Sequence, residues 1–140
     1  MEILSEIYST ILNAPFVPPE TGGIIGGVGG IITSFLFDEG HSVNDHAAYI
    51  PDIKLINSRI QRWQEDGISF YGMYHTHPDN QETLSGDDVL YIKEILQAMP
   101  NDVLFLYFPV VIPKKNLIPY KATIVKDTVD ITEDILHILH

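Results

Sequence analysis

The sequence contains no cysteine. That excludes disulfides, thiolate zinc ligands, iron–sulfur clusters and a cysteine nucleophile, so any transition metal must be held by histidine, aspartate or glutamate. The absence suits a reducing compartment, and a cytoplasmic location is the expectation. Positive charge is scarce as well: 8 Lys and Arg against 19 Asp and Glu give a formal net charge of −11. An acidic surface repels phosphate, which argues against nucleic acid and against anionic membranes as partners. A protein with a basic face is the easier fit, although acidity also serves solubility. No apolar run approaches the ~18 to 20 residues of a membrane span. The opening stretch MEILSEIYSTILNAPF carries glutamates where an export signal carries lysine or arginine, so no export signal is read.

What is present supports one folded domain over residues 1–140. Hydrophobic residues make up 45% of the chain, and a chain of this length buries roughly two-thirds of its unfolded surface. Ile3, Leu4, Ile7, Ile11 and Leu12 share one face of a helix predicted over residues 2–13, which Pro15 stops. PPETGGIIGGVGGIITSFLFDE predicts a hairpin from Thr21 to Phe37 around a glycine-rich turn. Its glycines lack the spacing of a phosphate loop, and no helical pattern follows them. HAAYIP predicts a third short strand, and residues 52–66 a helix with Asp52 as N-cap. ISFYGMYHTH reads as a buried central strand ended by Pro78. SGDDVLYIKEILQAM is the clearest helix, capped by Ser85. DVLFLYFPVVI and IPYKATIV predict strands joined by PKKN, and TEDILHILH predicts a terminal helix. Strands and helices do not alternate strictly, so the expected class is α/β with a central mixed or mainly antiparallel sheet flanked by helices.

The stretch YGMYHTHPDNQETLSGDD concentrates the chemistry. His75 and His77 are i and i+2 on a strand, so they share a face about 6.5 Å apart along the chain, and both imidazoles can converge on one ion. Asp88 lies three residues after the N-cap Ser85, and helical side chains lean toward the N-terminus, which projects Asp88 at the strand end. The helix dipole there favours the ionised carboxylate that a metal needs. Three protein ligands leave a fourth tetrahedral position open for water, which separates a catalytic zinc site from a structural one. A general base is still required, and Glu20, directly before TGG, is the candidate, although spacing alone does not single it out. Each part has a plainer reading. Ser85 and Asp88 fit a capping box, and His75 with His77 fits a polar strand end. Asp79, Glu82 and Asp87 read as solvated loop carboxylates, and His41, His46, His137 and His140 lack a partner at useful spacing. A fourth ligand from His46 or Asp79 would make the site structural instead.

The combination is more specific than its parts. HTHPDNQETLSGDD fits His-x-His, seven residues, Ser, two residues, Asp, and ETGGIIGG places a glutamate ahead of a Gly-Gly strand. In this the chain resembles the JAMM (MPN+) zinc metalloproteases of the JAB/MPN type in their compact prokaryotic form, from Glu20 to Val125. The resemblance implies a cytidine-deaminase-like fold and one zinc per chain held by His75, His77 and Asp88. It further implies Glu20 as general acid/base and Ser85 as the group that steadies the oxyanion. The implied reaction is hydrolysis of peptide or isopeptide bonds at the C-terminal tail of a ubiquitin-like or sulfur-carrier protein. The chain is too short for the large insertions with which some family members grip polyubiquitin, and PVVIPKKNLIP is at most a short version of the second. Two other readings stay open: a zinc amidase acting on small-molecule conjugates, and an MPN-type interaction module without hydrolysis. The residues do not decide the oligomeric state.

Overall fold

The computed structural model describes residues 1–14, 20–40, 49–78 and 81–140. The elements follow in chain order as β1 (Glu2–Leu4), α1 (Ser5–Leu12), β2 (Gly22–Val28), β3 (Ile31–Asp38), α2 (Ile53–Glu65), β4 (Ser69–Thr76) and α3 (Gly86–Ala98). The last part holds only strands: β5 (Phe105–Tyr107), β6 (Val110–Ile112), β7 (Asn116–Ile118), β8 (Tyr120–Val125), β9 (Thr128–Glu133) and β10 (His137–Leu139). They form one mixed sheet in the order β10-β1-β3-β2-β4-β5-β8-β9, with β6 pairing both β4 and β7 off that path. Antiparallel pairing joins β2 to β3 and β4, whereas β5 and β6 run parallel to β4. The β2–β3 turn is Gly29-Gly30, with φ of 64° and 83°. Two consecutive positive φ values match the twist of a tight hairpin and explain why glycine occupies both positions.

Helices cover the sheet on both sides, and strand alternation sorts its residues between them. Ile24 and Met73 face α2 and α3, packing with Ile56, Trp63, Ile92, Leu96 and Phe108. Their chain neighbours Ile25 and Tyr74 face the other way, joining Ile3, Ile11, Ile32, Val111 and Leu117 beneath α1. Because β2 and β4 are apolar on both faces, they sit in the middle of the sheet. Among the described residues no helix is long and apolar enough to cross a membrane.

The fold corrects several sequence expectations. TEDILHILH is not a helix. The end of β9 and all of β10 occupy it, and β10 lies parallel to β1 with Ile3 opposite Ile138. Ile135, Leu136, Ile138 and Leu139 fit a helical spacing, but pairing with β1 satisfies the backbone and extends the sheet instead. Val129 and Ile131 alternate onto the α3-side core, a period of two within β9 that the sequence reading passed over. The first helix starts only at Ser5, because Ile3 is buried in the sheet as part of β1. Each of the two long strands expected near the C-terminus is split at a proline, Pro109 and Pro119, neither of which can donate a ladder hydrogen bond. Pro15 and residues 46–48 of the expected HAAYIP strand lie outside the described residues, and no strand is formed by residues 49–51.

Gly72 marks a close crossing. A Cβ there, at φ of 149°, would stand 1.8 Å from the Tyr107 carbonyl oxygen on β5. Gly72→Ala is expected to lower stability by about 3 kcal/mol or more. Gly29→Ala, whose Cβ would meet nothing within 4 Å, should lose only the left-handed penalty of about 1–2 kcal/mol. Urea unfolding of both variants checks this, and equal losses would contradict the tight β4–β5 approach.

Candidate metal centre

The site sits where the end of β4 meets the start of α3. β6 holds the histidine segment in place: the N–H of His75 donates to the Pro109 carbonyl at 3.2 Å, and that of His77 to the Val111 carbonyl at 2.9 Å. The split at Pro109 therefore has a use, since it turns the chain so that β6 continues along β4 past the end of β5. His75 and His77 fall on one face as the period of two requires. Their Nε2 atoms approach to 2.9 Å. Asp88 Oδ2 lies 3.4 Å from the Nε2 of His75 and 3.3 Å from that of His77. One ligand atom from each of the three residues thus falls within 4.8 Å of the others.

Local hydrogen bonds aim each group. His77 is buried at 4% exposure, and its Nδ1 lies 2.8 Å from the Gln81 carbonyl oxygen. A carbonyl accepts only, so Nδ1 carries a proton, and in the neutral ring that a metal requires the Nε2 lone pair is the one that faces the triad. Asp88 is oriented by the reciprocal cap of α3. Its backbone N–H donates to the Ser85 Oγ at 3.1 Å, and its Oδ2 accepts from the Ser85 N–H at 2.9 Å. The capping box is therefore formed, and its Asp88 is at the same time a member of the metal-capable group. Burial works to raise the Asp88 carboxyl, but hydrogen bonds from both histidines, the charge of His75 and the Ser85 N–H hold it well below the usual carboxylate range. Burial disfavours charge on His77, yet contacts with Asp88, the Gln81 carbonyl and Glu20 leave its pKa raised.

Glu20 reaches this corner because β2 starts beside the end of β4. The Thr21 N–H donates to the Thr76 Oγ1 at 2.8 Å, and the Thr76 N–H donates to the Thr21 carbonyl at 2.8 Å. The Glu20 carboxylate accepts from the Tyr49 N–H at 3.0 Å through Oε2. Burial pushes its pKa up, against the Tyr49 N–H and the nearby His75 and His77, with Asp88 adding to the rise. It stands outside the close group of His75, His77 and Asp88. A cavity of about 260 Å³ opens beside these groups, lined by Glu20, His75, Asp87 and Asp88 and walled by Tyr49, Met73, Tyr74, Tyr91, Ile92 and Phe108.

The fold brings together His75, His77, Asp88 and Glu20, and places Ser85 in the cap beside Asp88. Asp87 is exposed, as expected of a solvated carboxylate, but also lines the cavity. His137 belongs to β10 on the far edge of the sheet. His41, His46 and Asp79 lie outside the described residues. Sequence reasoning missed Tyr49, Asp38 and the Gln81 carbonyl. None of the three had a local signal, because a backbone N–H, a backbone carbonyl and a buried strand-end carboxylate are defined only by what folds against them. Two imidazole nitrogens and a carboxylate oxygen, with no thiolate, are a donor set that fits Zn²⁺.

A mixed sheet covered on both faces thus carries a His-x-His strand end against an Asp of a helix cap. The sequence profile of prokaryotic homologs of the JAB domain matches residues 4–122, and the chain belongs to that family. No curated protein is similar enough to count as a match. Among solved structures, the chain is similar to a protein from Desulfitobacterium hafniense, with 19% identity and a TM-score of 0.63 over 99% of this chain and 94% of that one. It is also similar to a JAB1/MPN domain protein from Archaeoglobus fulgidus, with 16% identity and a TM-score of 0.59 over 100% of both chains. A protein from Salinibacter ruber gives 16% identity and a TM-score of 0.60 over 99% of this chain and 92% of that one. At such identities the likeness concerns the fold.

Zinc at ~100-fold excess over its Kd is expected to stabilise the metal-free protein by about 2.7 kcal/mol, a rise in melting temperature on the order of 5–10 °C. His77→Ala should abolish that rise, which calorimetry with and without zinc measures. An undiminished rise in the variant would place the metal elsewhere.

Proposed function

We propose that the chain is a zinc-dependent peptidase or isopeptidase that cuts at the C-terminal tail of a ubiquitin-like or sulfur-carrier protein. One observation carries the reading: a carboxylate with a raised pKa, Glu20, stands at a cavity beside a triad of three metal-capable side chains. His75, His77 and Asp88 would hold zinc, whose Lewis acidity acidifies water and polarises a carbonyl. Among the described residues Glu20 is held through Oε2 by the Tyr49 N–H, so Oε1 takes the proton of the attacking water. Its raised pKa suits it to return that proton to the leaving amine. The Ser85 Oγ accepts from the Asp88 N–H and keeps its own proton to donate to a developing oxyanion. Such a donor contributes about 3–4 kcal/mol in comparable sites. An extended, glycine-rich tail suits a narrow cleft and can add beside a sheet edge.

The mainly aromatic and apolar cavity favours one alternative, a zinc amidase that accommodates the apolar part of a small conjugate. Folded carriers and their isolated tail peptides separate the two. Cleavage that needs the folded carrier supports the tail peptidase, and cleavage of small conjugates alone supports the amidase. With whichever substrate is cut, Glu20→Gln should lower kcat by ~100-fold or more while zinc content stays near one per chain. Retained turnover in that variant would remove Glu20 from the mechanism.

A further inference from the structure

We propose that Tyr49, locked by Asp38, is a positioning residue that fixes the rotamer of Glu20. The inference rests on the role given to Glu20 above and goes beyond it to the support of that residue. Sheet register aligns Asp38 on β3, Gly22 on β2 and His75 on β4 in one row, so their Cα–Cβ directions share a face. The middle position has no side chain. A Cβ on Gly22 would lie 2.5 Å from the Tyr49 Cε2, so the Tyr49 ring fills the gap that the glycine leaves between Asp38 and His75.

The ring is tied down at one end and does its work at the other. Its hydroxyl donates to the Asp38 Oδ2 at 2.7 Å. The same oxygen accepts from the Asp52 N–H at 2.8 Å, while Oδ1 accepts from the Gly40 N–H at 2.9 Å. Asp38 is only 3% exposed, and a carboxylate so buried is tolerable because these three donors satisfy it. At the other end of the residue, the Tyr49 backbone N–H donates to the Glu20 Oε2. Asp38 thus fixes the hydroxyl, the hydroxyl fixes the placement of residue 49, and the backbone of residue 49 fixes one carboxylate oxygen. The other oxygen then points at the reacting proton without having to search among rotamers, and rate falls steeply when such geometry loosens.

A purely structural role for Asp38, stapling the chain that enters α2 to the end of β3, makes different demands. Two measurements distinguish them, with Tyr49→Phe as the mild variant and Asp38→Asn as the severe one. In metal-free protein, amide hydrogen exchange at position 49 should speed by about 10-fold or more in both, because the bond to Glu20 has lost its anchor. Unchanged exchange in the well-folded Tyr49→Phe overturns the proposal whether or not the chain proves to be a peptidase. In zinc-loaded enzyme, Tyr49→Phe should lower kcat by roughly 10-fold with KM and zinc content unchanged. Placed in the Glu20→Gln background, the same change should have no further effect on kcat, since it acts only through Glu20. An equal loss in both backgrounds, or a lower melting temperature with kcat preserved, means a structural staple only and overturns it.

Discussion

The structure turns on the antiparallel register between β2 and β4. Gly22 opposite His75, with the Thr21–Thr76 pair just beyond, decides which residues share the site. Side chains alternate with a period of two, so a slip of one residue would send the partners of the histidine row to the opposite face. That face is sealed by α1 and by the packed cluster of Ile25, Tyr74 and Val111. Register is therefore enforced by burial on both sides, with Ile24 and Met73 committed to the α2 and α3 face. The chemistry at the strand end inherits its accuracy from the core beneath it.

Asp88 shows how little extra machinery the site requires. One carboxylate caps α3, lies in its positive first turn and faces two imidazoles. The capping of the helix and the ionised state of Asp88 then rest on overlapping hydrogen bonds. His77 is oriented by a local contact as well, because the Gln81 carbonyl selects its tautomer. Helix capping and the proposed metal binding coincide at the α3 start, whereas the proposed role of Glu20 depends on a longer chain of hydrogen bonds through Tyr49 to Asp38.

Much of this was legible in the sequence wherever the deciding interaction is local. The helices capped by Asp52 and Ser85 were readable because a cap and its apolar stripe lie within one or two turns. His75, His77 and Asp88 were readable because a strand, a turn and a helix start occupy eighteen consecutive positions. Legibility ended where distant segments decide. TEDILHILH carries a spacing that suits a helix, and only β1, from the other end of the chain, makes β10 a strand. DVLFLYFPVVI reads as one strand, but Pro109 separates two strands that both pair with β4. Glu20 became more than one acidic residue among many only when the family pattern or the fold set it beside the histidines. Asp38 and Tyr49 had no pattern at all.

The central claim is that His75, His77 and Asp88 hold one metal ion, with Glu20 alongside and not bound to it. Anomalous scattering at the zinc edge from crystals of zinc-loaded protein tests this directly. The expected result is a single peak about 2.0–2.2 Å from the Nε2 of both histidines and from a carboxylate oxygen of Asp88. Glu20 should stay outside bonding distance, with its Oε2 on the Tyr49 N–H. A peak elsewhere, or one with Glu20 as a ligand, would contradict it.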